Sequence, residues 1–172
     1  MRLEIVLLAG MTLFNSMDAG AEPLKCKSFT GTVTLEPDPA CQVAARPERR
    51  TAFPDATFTG LCFVGRVENA KLDGNDIMLA TSVSGVTSPP VFPNSNGVFA
   101  AVTVLTLIEK NKPETLVFRD TGVFLADGEV FEQLVLVEGS GRFNGAQGVI
   151  QIQGNEFAGA PAIGTLCTHS AK

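Results

Sequence analysis

The 172-residue chain has no Trp, no Tyr and one His, and only 18% of its residues are charged. Each shortage closes a class of function. A single His, His169 near the chain end, leaves no room for a site with several His ligands and makes a Ser-His-Asp or Cys-His arrangement implausible on a terminus that usually frays. The lack of Tyr and Trp removes the aromatic girdles of an outer-membrane barrel. No apolar run approaches the roughly 20 residues of a membrane-spanning helix. With 13 basic against 18 acidic residues and a net charge of −5, nothing supplies the basic footprint that nucleic acid requires, so no nucleic-acid partner is expected.

What is present is 45% hydrophobic residues, 17 Gly, 10 Pro and 12 Phe. Such a chain is too apolar to be disordered, and its core has to rest on Phe, Val, Leu and Ile. From Ser28 onward it reads as short apolar or alternating runs cut by Gly, Pro, Asn and Asp, without a long helical period, which predicts strands. The strands are expected over 28–35, 57–67, 76–83, 98–109, 114–124, 129–137, 148–153 and 163–168. Turns such as Leu72-Asp-Gly-Asn75 and Asp127-Gly128 separate them. The fold class is therefore all-β, a single eight-stranded antiparallel β-barrel over residues 22–172.

Residues 1–21 have the make-up of a cleavable signal peptide: Arg2, an apolar run over 5–14, then small residues at Ala19 and Ala21. Cleavage is expected after Ala21, with the product secreted or periplasmic and free of any membrane span. In an oxidising compartment the four cysteines suggest two disulfides, because they stand too far apart in sequence for the close pairs of a zinc site. Three connectivities are open. The preferred one is Cys41–Cys62, closing a loop around a Pro- and Arg-rich segment, with Cys26–Cys167 tying the first strand to the last.

The run Val98-Phe-Ala-Ala-Val-Thr-Val-Leu-Thr-Leu-Ile108 is nearly continuous in apolar residues. It is expected to be covered on both faces, or to present an oligomer interface on its outer side. Two loops hold three Pro each: 36–50, with Arg46, Arg49 and Arg50, and 88–97, with Phe92. Both read as surface connections with solvated arginines, the sharper alternative being a partner-facing rim anchored by Phe92.

The Gly-rich segment Gly139-Ser-Gly-Arg-Phe-Asn-Gly-Ala-Gln-Gly148 lacks the Gly-Lys-Ser/Thr of a phosphate loop and runs into a strand rather than a helix, so no nucleotide and no other cofactor is expected. It reads as a tight corner of a curved sheet, with Phe143 turned inward and Arg142 pairing with a carboxylate. This segment resembles the Gly-x-Gly-[Arg/Lys]-[Phe/Tyr]-x-x-Ala-x-Gly turn of the allene oxide cyclase and dirigent barrel superfamily, including its exported bacterial members. The Cys-bearing strands around Cys62 and Cys167 and the long apolar strand follow in a similar order. The resemblance implies an eight-stranded antiparallel barrel with a small apolar cavity. Members of that superfamily use Tyr among their pocket residues, which this chain lacks, so the resemblance carries over no catalytic residue.

Carboxylates are the remaining chemistry. In Val130–Val137, strict alternation sets Val130, Glu132, Leu134 and Leu136 on one face. Glu is seldom buried, so that face is expected to look outward. Were it inward, Glu132 would need a partner such as Arg119 or Arg142, and the group would form a polar handle in an apolar pocket. Arg119 and Asp120 are adjacent in a strand and face opposite sides, which puts one of them inside. Arg119, Asp120, Glu132 and Arg142 are therefore the candidate ligand-binding residues. No metal site is expected, and no catalytic residue is assigned. Three functions stay open: a non-enzymatic barrel binding a small apolar ligand or a protein partner, a cyclase-like enzyme assisted by Glu132 or Asp120, and an oligomeric interaction module.

Overall fold

In the computed structural model, which describes residues 24–77, 79–88 and 96–169, alternating side chains turn eight strands into one closed antiparallel sheet. The strands are β1 (Leu24–Pro37), β2 (Cys62–Leu72), β4 (Leu79–Ser88), β5 (Gly97–Glu109), β6 (Lys112–Phe124), β7 (Val130–Gly139), β8 (Gln147–Gly154) and β9 (Ala160–His169). A two-residue β3 (Asn75–Asp76) only completes the turn after β2. Every strand pairs with its neighbours antiparallel, and β1 pairs with both β9 and β2, which closes the barrel and leaves no long edge free. The expected signal peptide with its cleavage site, and the residues around Phe92, lie outside the described residues.

Inward positions recur every second residue: Phe29 and Val33 on β1, Leu105 and Leu107 on β5, Leu116 and Phe118 on β6, Ile150 and Ile152 on β8. Eight strands enclose just enough space for such side chains or one small ligand. One end is filled. There the corner after β7 folds into a short 3-10 turn (Gly141–Phe143) that drives Phe143 into the core at 1% exposure. Gly139 makes this possible, because a Cβ there would lie 2.5 Å from the Phe143 carbonyl oxygen. Arg142 stays outside and pairs with Glu109 and, at 2.8 Å, with Glu114.

Both disulfides form as expected. Cys26 and Cys167 are direct cross-strand partners on β1 and β9, and Cys41 is joined to Cys62 at the start of β2.

The segment read as a surface connection is instead a lid on the outer wall. Asp38, buried, accepts hydrogen bonds from the amides of Ala40 and Gln42 and turns the chain into α1 (Gln42–Ala45), followed by α2 (Pro47–Ala52). Val43, Phe53 and Phe58 then cover Val102, Val104 and Val117 on the outside of β5 and β6. Gly85 of β4 admits this lid, since a Cβ there would meet Phe58 at 2.5 Å and Val43 at 2.8 Å. Arg49, expected to be solvated, is only 7% exposed. It donates to the carbonyls of Ala44 and Phe53, which the short helices leave without helical partners, and stacks on Phe58. The lid thus covers Val102 and Val104 in the middle of the outer face of β5, while Val98 at its start stays exposed.

Candidate functional site

The end of the barrel opposite Phe143 is hollow. A cavity of about 120 Å³ opens there, walled by apolar side chains from β1, β2 and β4–β9 that include Phe29, Phe63, Phe99 and Phe124, and by Phe157 from the turn between β8 and β9. Its mouth is bordered by Phe157 and Leu61, and the rings of Phe63 and Phe157 meet edge-on at 5.7 Å. Three carboxyl side chains share this apolar chamber: Asp120, Glu132 and Glu156.

Strand geometry brings the first two together. On β6, Leu116, Phe118 and Asp120 point inward; on β7, Val130, Glu132 and Leu134 do the same. Asp120 pairs with Leu134 and Gly122 with Glu132, so Asp120 and Glu132 are diagonal neighbours on the inner face. The expectation that this face of β7 looks outward is therefore wrong. Apolar Val130, Leu134 and Leu136 outvote one acid, because turning the strand over would expose three large side chains to keep one carboxylate wet.

Glu156 arrives from the turn between β8 and β9. Gly154 and Gly159 bound this turn with φ of 130° and 101°, the Asn155 side chain accepts from the Phe157 amide, and the Leu35 amide donates to the Glu156 carbonyl at 2.9 Å. The turn is pinned to β1, and its acid lines the cavity. Sequence reasoning missed Glu156, for a Glu in a Gly-bounded turn carries no periodicity that could reveal which way it points.

The two arginines are not part of the chamber. Arg119 alternates to the outside of β6, where its guanidinium stacks 4.4 Å from the Phe53 ring centroid. Arg142 is held by Glu109 and Glu114 at the filled end. Neither lines the cavity, nor does any Lys or His among the described residues. The polar handle expected from a carboxylate and an arginine is instead made of carboxyl groups alone.

Electrostatics follow from this. Asp120 is fully buried; Thr103 donates to its Oδ2 at 2.6 Å, and its Oδ1 has no hydrogen-bond partner among the described residues. Burial pushes the Asp120 carboxyl up to about 8, against the pull of the Thr103 hydrogen bond, with the Glu156 charge adding to the rise and Arg119 opposing it. Burial, followed by the charges of Asp120 and Glu156, lifts Glu132 well above the usual carboxylate range. Glu156 rises to about 7 by burial, held back by its hydrogen bond with Glu132. Glu132 thus carries the proton in a carboxyl–carboxylate pair, and near neutral pH the chamber holds two neutral acids and one on the edge of ionising.

No family model, no curated protein and no solved structure matches this chain. Among the described residues, no three His, Cys, Asp or Glu side chains are placed to hold a metal ion, and no helix is long and apolar enough to cross a membrane.

Proposed function

We propose that this protein is an exported binding barrel, related to the allene oxide cyclase and dirigent superfamily, that takes up a small, largely apolar molecule and grips its polar end with carboxyl groups. One observation carries the reading: the buried Asp120 Oδ1 has no hydrogen-bond partner among the described residues and belongs to a side chain lining an apolar cavity open at one end. A buried oxygen without a hydrogen bond costs about 1–3 kcal/mol, which a ligand can recover. Two disulfides fit an oxidising compartment, in line with the signal-like residues 1–21.

Native mass spectrometry of the protein purified from its own host, with organic extraction of the bound material, tests this. The expected result is a chain beginning at Glu22 that carries a stoichiometric small molecule. A ligand-free protein that also gives no saturable heat with a neutral apolar probe such as benzyl alcohol would overturn it.

A second reading, a cyclase-like enzyme, is favoured by the proton that Asp120 retains near neutrality, since a neutral acid in a dry pocket can serve as a general acid. Turnover of the extracted molecule, lost in Asp120→Asn and in Glu132→Gln, would distinguish it from simple binding. The oligomer reading has less apolar surface to rest on where the lid covers Val102 and Val104 of β5, and size-exclusion chromatography checks it.

A further inference from the structure

The chamber is apolar on most of its wall and purely acidic in its charges. Among the described residues Asp120, Glu132 and Glu156 line it, the other polar side chains there are the hydroxyls of Ser82, Ser84 and Thr103, and no cationic side chain does. The nearest positive charge acting on Asp120 is Arg119, which alternates to the other side of the wall and is engaged with Phe53. Besides the Asp120 oxygen, the Ser82 hydroxyl is also buried without a partner. A second carboxylate in the ligand would meet three like groups and be rejected. A neutral alcohol or ketone satisfies one oxygen but draws nothing from the clustering of three groups that can each become an anion beside a cation. A metal ion does not fit either, as no three of these groups converge to hold one among the described residues. What remains is an organic cation, whose longer N–H···O contacts can reach groups too dispersed for metal ligation.

We propose that the cavity is an amine site: it takes a small primary amine whose aromatic or short alkyl body fills the Phe-lined chamber and whose ammonium is held by Asp120 together with the Glu132–Glu156 pair. The inference rests on the binding reading above and names its ligand class. Size agrees with it, since an apolar cavity of roughly 150 Å³ accommodates benzene and this one is about 120 Å³ with an open mouth. Phe29, Phe63, Phe99 and Phe157 are among the lining side chains, and aromatic rings attract a cation placed over them.

Binding then moves a proton. The amine arrives as its ammonium, a protonated carboxyl in the chamber releases its proton to solvent, and the resulting carboxylate pairs with the ammonium, so one charge enters and one proton leaves. The groups that govern this are Asp120 and Glu132 on the inner faces of β6 and β7, Glu156 from the β8–β9 turn, and Arg119 behind β6. Among the described residues no other ionisable side chain lines the chamber.

Isothermal titration of the disulfide-bonded protein with benzylamine, benzyl alcohol and benzoate, in two non-amine buffers of different ionisation enthalpy, tests the proposal. At pH 6.5 benzylamine should bind roughly tenfold or more tightly than benzyl alcohol, as charged hydrogen bonds imply. It should release up to about one proton per site, a release that fades by pH 9 as the acids ionise beforehand. Benzoate should not bind. Glu132→Gln and Asp120→Asn should lose the preference for the amine and its proton release, with a cooperative circular-dichroism melt reporting that each variant is folded. Equal affinities for amine and alcohol without proton release would overturn the amine assignment and leave the binding barrel standing. Silence from all three probes would overturn both.

Discussion

Stability should fall as pH rises from 5.5 to 8.5, the reverse of what a carboxylate-rich protein usually shows. In the unfolded chain Asp120 and Glu156 titrate near 3.8 and 4.5; in the fold they titrate at about 8 and about 7. The folded state therefore keeps protons that the unfolded state has released. The stabilisation is complete below the unfolded values and is lost as pH climbs through the folded ones. Each pH unit in that window changes stability by about 1.4 kcal/mol per group. Over the chosen range Asp120 and Glu156 together amount to about 5 kcal/mol, or about half of that if water entering the open cavity screens the carboxylates, and Glu132, also raised by burial, acts in the same direction. At about 2–4 °C per kcal/mol for a chain of this size, Tm should drop by roughly 5–20 °C. Far-UV circular dichroism melts at half-unit pH steps, with the disulfides intact, measure it. Asp120→Asn removes the larger titration while preserving shape, and its curve should be visibly flatter. A wild-type Tm that is level or rising over this range would refute the assignment of Asp120 and Glu156 as buried acids.

Other consequences can be checked alongside. Phe143→Ala empties the filled end of the barrel and should destabilise it by about 3–5 kcal/mol, read from urea unfolding, with little effect on the cavity at the far end. Arg49→Ala removes hydrogen bonds to the Ala44 and Phe53 carbonyls and a ring contact, and should cost about 1–2 kcal/mol in the same assay, since the Phe53 carbonyl keeps the Ala56 amide; Arg50→Ala, an exposed side chain at 3.5 Å from the Ala44 carbonyl, should cost less. Replacing Cys26 and Cys167 by Ser should lower stability by about 5 kcal/mol in the loop-entropy picture, against about 3 for Cys41 and Cys62, because the sequence separations are 141 and 21. Filling the chamber with Ala101→Leu should raise Tm and abolish binding of benzyl alcohol, as calorimetry would report.

Much of the barrel could be read from period-two alternation, since a strand with one face in the core repeats its apolar residues on that face. The inner residues of β6 and β7 follow this rule, and so does the prediction that Arg119 and Asp120 separate across the wall. The disulfide pairing was legible because a closed sheet must bring its first and last strands together. The lid over β5 was not, because α1 and α2 have four and six residues, too few for a helical period, and their Pro and Arg content mimics a loop. The site was half legible. Asp120 and Glu132 stood out as acids within apolar strands, but their inward orientation is decided by neighbours on the same face rather than by their own preference for water. Glu156 is placed by a backbone hydrogen bond to β1, more than a hundred residues away, and no local pattern encodes that.

The pairing of β1 with β9 also governs when this protein is able to fold. A chain that emerges with its N-terminus leading presents β1 long before its partner, and for most of synthesis and transit that strand has only β2 to join. The intermediate is an open, curling sheet with β1 at one raw edge and the newest strand at the other, both of them templates for a neighbouring chain. Closure is a single late event with a high entropic barrier, so crowding of unfinished chains is the danger, and the Cys26–Cys167 bond can act as a latch only after the circle is complete.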